Sequence, residues 1–160
     1  MIIVDSREKP KAIRRILDYF DEHGVQYMIS KMLFGDYMEY NHPAVVVDRK
    51  QNIAELAKNC TIEHERFRRE LQRAKDCNAT LIILVEQNRY IDRGEMVKVE
   101  TIQDLLRWSS SHTQVRGEKI FRVLASWSAK YPIKVVFCDK RSTGKVIRKM
   151  LIDDSENREG

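Results

Sequence analysis

Cysteine is scarce in this chain, and what there is suits neither disulfides nor zinc. Cys60, Cys77 and Cys138 are the only three in 160 residues. An odd number of widely spaced thiols argues against a disulfide framework or a CxxC zinc site and favours a reducing, intracellular setting. No apolar run approaches the ~20 residues of a membrane span, and the first residues follow a strand pattern, not that of a signal peptide. No internal repeat is visible. A complete phosphate loop is also missing. Ser142-Thr143-Gly144-Lys145 lacks the leading glycine of G-x-x-x-x-G-K-[ST] and the hydroxyl residue after the lysine. It therefore reads as a helix start, and no nucleotide cofactor is expected.

What is present fits one soluble domain with a sizeable core, since 42% of residues are hydrophobic and 33% charged. Lysine and arginine outnumber the acids 29 to 24, a formal charge of +5, which favours a polyanionic partner without demanding one.

Strand and helix patterns alternate along the chain. Met1 to Val4 reads as a strand ending at Asp5, and Pro10 opens a helix with Ile13, Ile16, Leu17 and Phe20 on one face, stopped at Gly24. Val25 to Ser30, Phe34 to Tyr40 and Val45 to Val47 read as a three-stranded meander, with His42-Pro43 as its second turn. Helices are expected over 52–59 and 63–75. The hydrophobic run Ala79 to Val85 reads as a central strand. Residues 88–99 read as a loop with one short extended piece, 101–106 as a capped helix, and 109–116 as a mobile polar loop carrying His112 and Arg116. A helix from Gly117, a strand over 133–137 and a helix over 143–152 complete a domain of residues 1–152, leaving 153–160 as a polar tail.

The chemistry concentrates in Gly35-Asp36-Tyr37 and Val45-Val46-Val47-Asp48-Arg49-Lys50. In a strand the i, i+2 spacing sends Asp48 and Lys50 to one face and Arg49 to the other. If Asp36 lies beside Asp48, the two carboxylates can share a divalent cation with an ammonium group nearby. Magnesium takes hard oxygen ligands and needs only one or two carboxylates, so the set suits phosphodiester hydrolysis. The residues alone leave a second reading open, a β-hairpin with charged, solvated ends. Asp5 is either a third acid at the site or the cap of its own turn. Arg66, Arg69 and Arg73 lie along one stripe of the 63–75 helix, which either tracks phosphates or is a solvated face paired with Glu63, Glu65 and Glu70.

The succession Val4-Asp5-x-Arg7-Glu8, Gly35-Asp36-Tyr37, Asp48-Arg49-Lys50 and Glu65-Arg66-Phe67 with Glu70-Leu71 resembles the nuclease domain of the XPF-type structure-specific endonucleases, and in length their compact phage and prophage members. The resemblance implies an α/β fold with a restriction-endonuclease-like core, a central mixed β-sheet flanked by helices. It implies a magnesium- or manganese-dependent endonuclease that cuts branched, flapped or junction DNA and works as a homodimer. Asp36 and Asp48 would be metal ligands, joined by Asp5 and the backbone carbonyl of Arg49, and Lys50 the catalytic lysine. Arg7 and Arg49 would contact phosphate or hold the site's geometry. Arg66 would face DNA, with Arg69, Arg73 and Arg116 extending that surface. Two departures stand out. Asp48 replaces the family's usual Glu, and Ala54 stands where an acid is usual, with Glu55 one position later. No room is expected after the last helix for the tandem helix-hairpin-helix domain that many members carry. A non-catalytic DNA-binding or scaffold subunit, and RNA cleavage on the same core, remain open.

Overall fold

A computed structural model describes the backbone of residues 1–159 and the side chains of residues 1–157. Six strands form one mixed sheet in the order β2-β1-β3-β4-β5-β8. They are β1 (Ile2–Asp5), β2 (Tyr27–Ser30), β3 (Tyr37–Glu39), β4 (His42–Lys50), β5 (Thr80–Val85) and β8 (Ile133–Phe137); β6 (Arg89–Asp92) and β7 (Glu95–Lys98) pair separately. The helices are α1 (Pro10–Glu22), α2 (Ile53–Cys60), α3 (His64–Asp76), α4 (Gly117–Lys130), α5 (Thr143–Arg148) and α6 (Asp154–Glu159). The architecture is α/β with a central mixed sheet between helical layers, as the resemblance implied. Among the described residues no helix is long and apolar enough to cross a membrane.

Each face of the sheet carries its own core. Ile3, Val46, Leu81, Ile83 and Val85 pack against α2, α3 and α4. Ile2, Val4, Tyr37, Val47, Ile82 and Leu84 pack against α1 and α5. The continuous apolar run of β5 is thus buried on both sides, as expected of a strand with parallel neighbours on each edge.

Four expectations change. The meander does not form, because β1 inserts between β2 and β3, pairing parallel with the first and antiparallel with the second. Helix α1 supplies the crossover that a parallel pair requires. Residues expected as a loop hold the antiparallel hairpin β6–β7. The helix expected over 101–106 is a single 3-10 turn, Ile102–Leu105, closed by Thr101 and Asp104. The last helix does not stop near 152. It passes through a π-helical stretch, Lys149–Asp153, into α6, within what was expected to be the tail.

Candidate metal and DNA-cutting site

Strand parity sets the site. With Val46 facing α2 and α3 and Val47 facing α1, Asp48 and Lys50 fall on the α2–α3 face and Arg49 on the other. Asp36 reaches the same neighbourhood from the adjoining chain. Its N–H donates to the Val47 carbonyl at 2.8 Å, and its Oδ2 accepts the Arg49 N–H at 2.7 Å. Gly35 makes this approach possible. It sits at φ +69°, and an added Cβ would come within 2.3 Å of Val46 Cγ1. Its N–H donates to Glu70 Oε1 at 2.8 Å, tying the turn to α3.

Asp48 and Lys50 are buried, 4% and 6% exposed, and Lys50 Nζ lies 2.7 Å from Asp48 Oδ2. The ammonium also sits 4.5 Å from the centre of the Phe67 ring. Burial disfavours its charge, but Asp48, with Asp36 and Glu70 behind it, outweighs burial and raises the Lys50 pKa. Burial pushes Asp48 up to about 6 against the pull of Lys50, with Glu70 adding repulsion. Asp36 is raised well above the usual carboxylate range by burial, then by Asp48 and Glu8. Two crowded, buried carboxyls form a place where a small divalent cation would relieve repulsion, and their hard oxygens match magnesium or manganese. A residue's N–H and C=O point to the same edge of a strand, so the Arg49 carbonyl lies on the edge facing Asp36.

Asp5 lies beside Asp36 and also holds the neighbouring turn. Its backbone N–H donates to the Asp36 carbonyl at 2.8 Å, so the acid is close by, but its oxygens are engaged. Oδ1 accepts the Met32 N–H and Oδ2 accepts Arg7 Nε, both at 2.8 Å. The carboxylate fastens the 30–32 turn, and among the described residues no group of three or more acids, histidines or cysteines is arranged to hold a metal. Arg49 points to the opposite face of β4. Of its two implied roles, phosphate contact or holding the site, the geometry supports the latter. The guanidinium is buried, donates to both Glu8 oxygens at 2.8 Å and pairs with Glu86. Glu86 also accepts the Thr143 hydroxyl at 2.7 Å, linking β4, β5 and α5.

The open side of the site is a cleft of about 520 Å³ whose lining includes Arg7, Lys9, Lys50, Lys58, Asn59 and Arg66. Arg7 faces it while clamping Asp5, and Arg66 while paired with Glu63 at 2.6 Å. Arg69, Arg73 and Arg116 are exposed but lie outside this lining. Glu55 is diverted to capping: its Oε2 accepts the Gln51 N–H as Asn52 caps Glu55 N–H. Three acids with site roles went unassigned on sequence: Glu8, Glu70 and Glu86. Glu86 carried a readable signal, an acid ending a buried strand as Asp5 and Asp48 do. Glu70 stood in the family motif, but its role depends on α3 lying across the Gly35 turn.

A family model described as the ERCC4 domain matches residues 4–150. Among solved structures, XPF from Aeropyrum pernix superposes with a TM-score of 0.63 at 20% identity, covering 99% of this chain and 69% of that one. The same protein in complex with DNA gives 0.65 at 18% identity, covering 98% and 65%. At such identities the likeness is one of fold. No curated protein matches the chain.

Proposed function

Since this chain belongs to the ERCC4-domain family, we propose that it is a magnesium- or manganese-dependent DNA endonuclease acting on branched substrates. The observation that carries the reading is Asp36 beside Asp48, with the Lys50 ammonium 2.7 Å from Asp48 and Lys50 itself lining a cleft rimmed by Arg7, Lys9 and Arg66. A divalent ion held by Asp36, Asp48 and the Arg49 carbonyl would supply Lewis acidity for water and for the phosphoryl oxygens. Lys50, fixed between Asp48 and the Phe67 ring, offsets the negative charge that grows on the phosphate as the bond breaks. Arg7 and Arg66 seat the flanking phosphates, and Arg69, Arg73 and Arg116 extend the contact along the strand. Arg49, held by Glu8 and Glu86, fixes β4.

A homodimer belongs to the same proposal. An apolar hollow of about 710 Å³ lined by Met32, Leu33, Phe34 and Leu151, with Leu33 70% exposed, supports it, and sedimentation over a range of concentrations tests it. The function is tested with labelled flap, fork, four-way-junction and linear DNA, with and without magnesium or manganese. Metal-dependent nicking is expected from the wild type, reduced on the order of 10³-fold in Asp36→Ala and Lys50→Ala. Wild-type protein that binds branched DNA and never cuts it would instead be a non-catalytic scaffold. Cleavage of RNA in preference to DNA would redirect the substrate assignment.

A further inference from the structure

Among the described residues the hairpin β6–β7 is fastened through one face, where Arg107 pairs with Asp92 at 2.7 Å. It leaves the sheet shortly after Val85, the register partner of Lys50, and Val99 N–H to the Asn88 carbonyl, 2.8 Å, closes its base. Its turn is Arg93-Gly94, with φ of +51° and +79°, the two-residue form that preserves strand twist. Tyr90 anchors the inner face: it is buried, and its hydroxyl donates to the Asp104 carbonyl at 2.6 Å. Val97 packs beside it against the core. Alternation turns Ile91 and Met96 outward, where these cross-strand partners are 67% and 63% exposed.

Arg89 and Lys98 are paired on the same outer face, and Arg93 stands at the tip. Like charges directly opposite are unfavourable. Glu100, 3.0 Å from Lys98, and Asp139 near Arg89 relieve part of that repulsion, and a polyanion would relieve more. Two paired apolar side chains that stand mostly in water are likewise a cost. The hairpin is continuous with the site, because the hollow lined by Gln87, Ile91 and Ser109 shares Asn52 and Ala54 with the Lys50 cleft.

Resting on the DNA-endonuclease reading above, we infer that Ile91 and Met96 form an apolar wedge that stacks on the exposed terminal base pair of a DNA branch, with Arg89 and Lys98 on the flanking phosphates. The chemistry is that of side chains which insert at unstacked base steps, with cations supplying a grip indifferent to sequence. A linear duplex must be unstacked to admit the wedge, whereas a branch already presents an open base-pair face. The wedge therefore discriminates by structure without reading bases. Arg89, four residues beyond Val85, lies no more than about 13 Å from it along an extended chain, so wedge and acids can address one junction.

The test compares wild type with Ile91→Ser/Met96→Ser, whose changes are at exposed positions, after thermal melting confirms that both are folded. Each is titrated without divalent metal, so that nothing is cut, into linear duplex and into a fork carrying 2-aminopurine at its last base pair. Wild type is expected to bind the fork about tenfold tighter than the duplex and to raise the fluorescence. The variant should lose both effects while keeping duplex affinity within about twofold. A variant that retains fork preference and fluorescence, or that loses duplex and fork binding equally, overturns the wedge and leaves the nuclease proposal standing. A wild type that binds no DNA removes both.

Discussion

Asp48 is a buried carboxyl whose nearest cation is Lys50, and its titration reports how the site is balanced. It titrates at about 6 in the folded chain against about 3.9 when unfolded. Between those values the folded state binds the extra proton, so the stability of the metal-free protein falls as pH rises from about 4 to 6. Relative to Asp48→Asn, the wild-type melting midpoint in chelator should drop across that window; a rise would contradict the assignment. Cation binding needs the ionised carboxylate, so calorimetric magnesium affinity should be greater at pH 7 than at pH 5. Arg49 makes the opposite kind of residue-scale prediction. Arg49→Ala strands Glu8 and Glu86 without their shared cation, which should cost about 3–5 kcal/mol of unfolding free energy in a urea titration.

At the scale of elements, the site depends on two junctions. The first is the Gly35 turn that lays Asp36 along β4. Gly35→Ala forces a side chain into the left-handed region and onto Val46. It should lower stability by about 1–3 kcal/mol and nicking along with it, as urea melts and fork cleavage would show. The second is the start of α2, where Asn52 Oδ1 accepts the Glu55 N–H at 2.8 Å just past Lys50. Asn52→Ala should cost about 1 kcal/mol, read in the same melts. Both junctions carry recognisable turn and cap residues, so their positions were legible. Which strand lies beside which was not. Val25 to Ser30 reads as the next strand of a meander, yet β1 lies between β2 and β3, because burial on both faces outweighs closeness in sequence.

For the whole molecule, the surplus of +5 matters through where it sits. Arg69 and Arg73 stand exposed on α3, beyond the cleft that holds Arg66. If both meet phosphates, replacing them with alanine should reduce the slope of log affinity against log salt by about 2. A slope unchanged in fluorescence-anisotropy titrations would leave the stripe as solvated surface.

The order of residues was enough to specify the alternation that puts Asp48 and Lys50 on one face and Arg49 on the other, the buried central strand and most helices, since these are local periodicities of 2 and 3.6 residues. It also contained the motifs that matched the family. The roles of Asp5, Arg49, Glu8 and Glu70 belonged to the tertiary structure. A carboxylate becomes a metal ligand, a clamp or a counter-ion according to which donors surround it, and here those donors come from residues such as Met32 and Gly35, brought near only when the sheet closes.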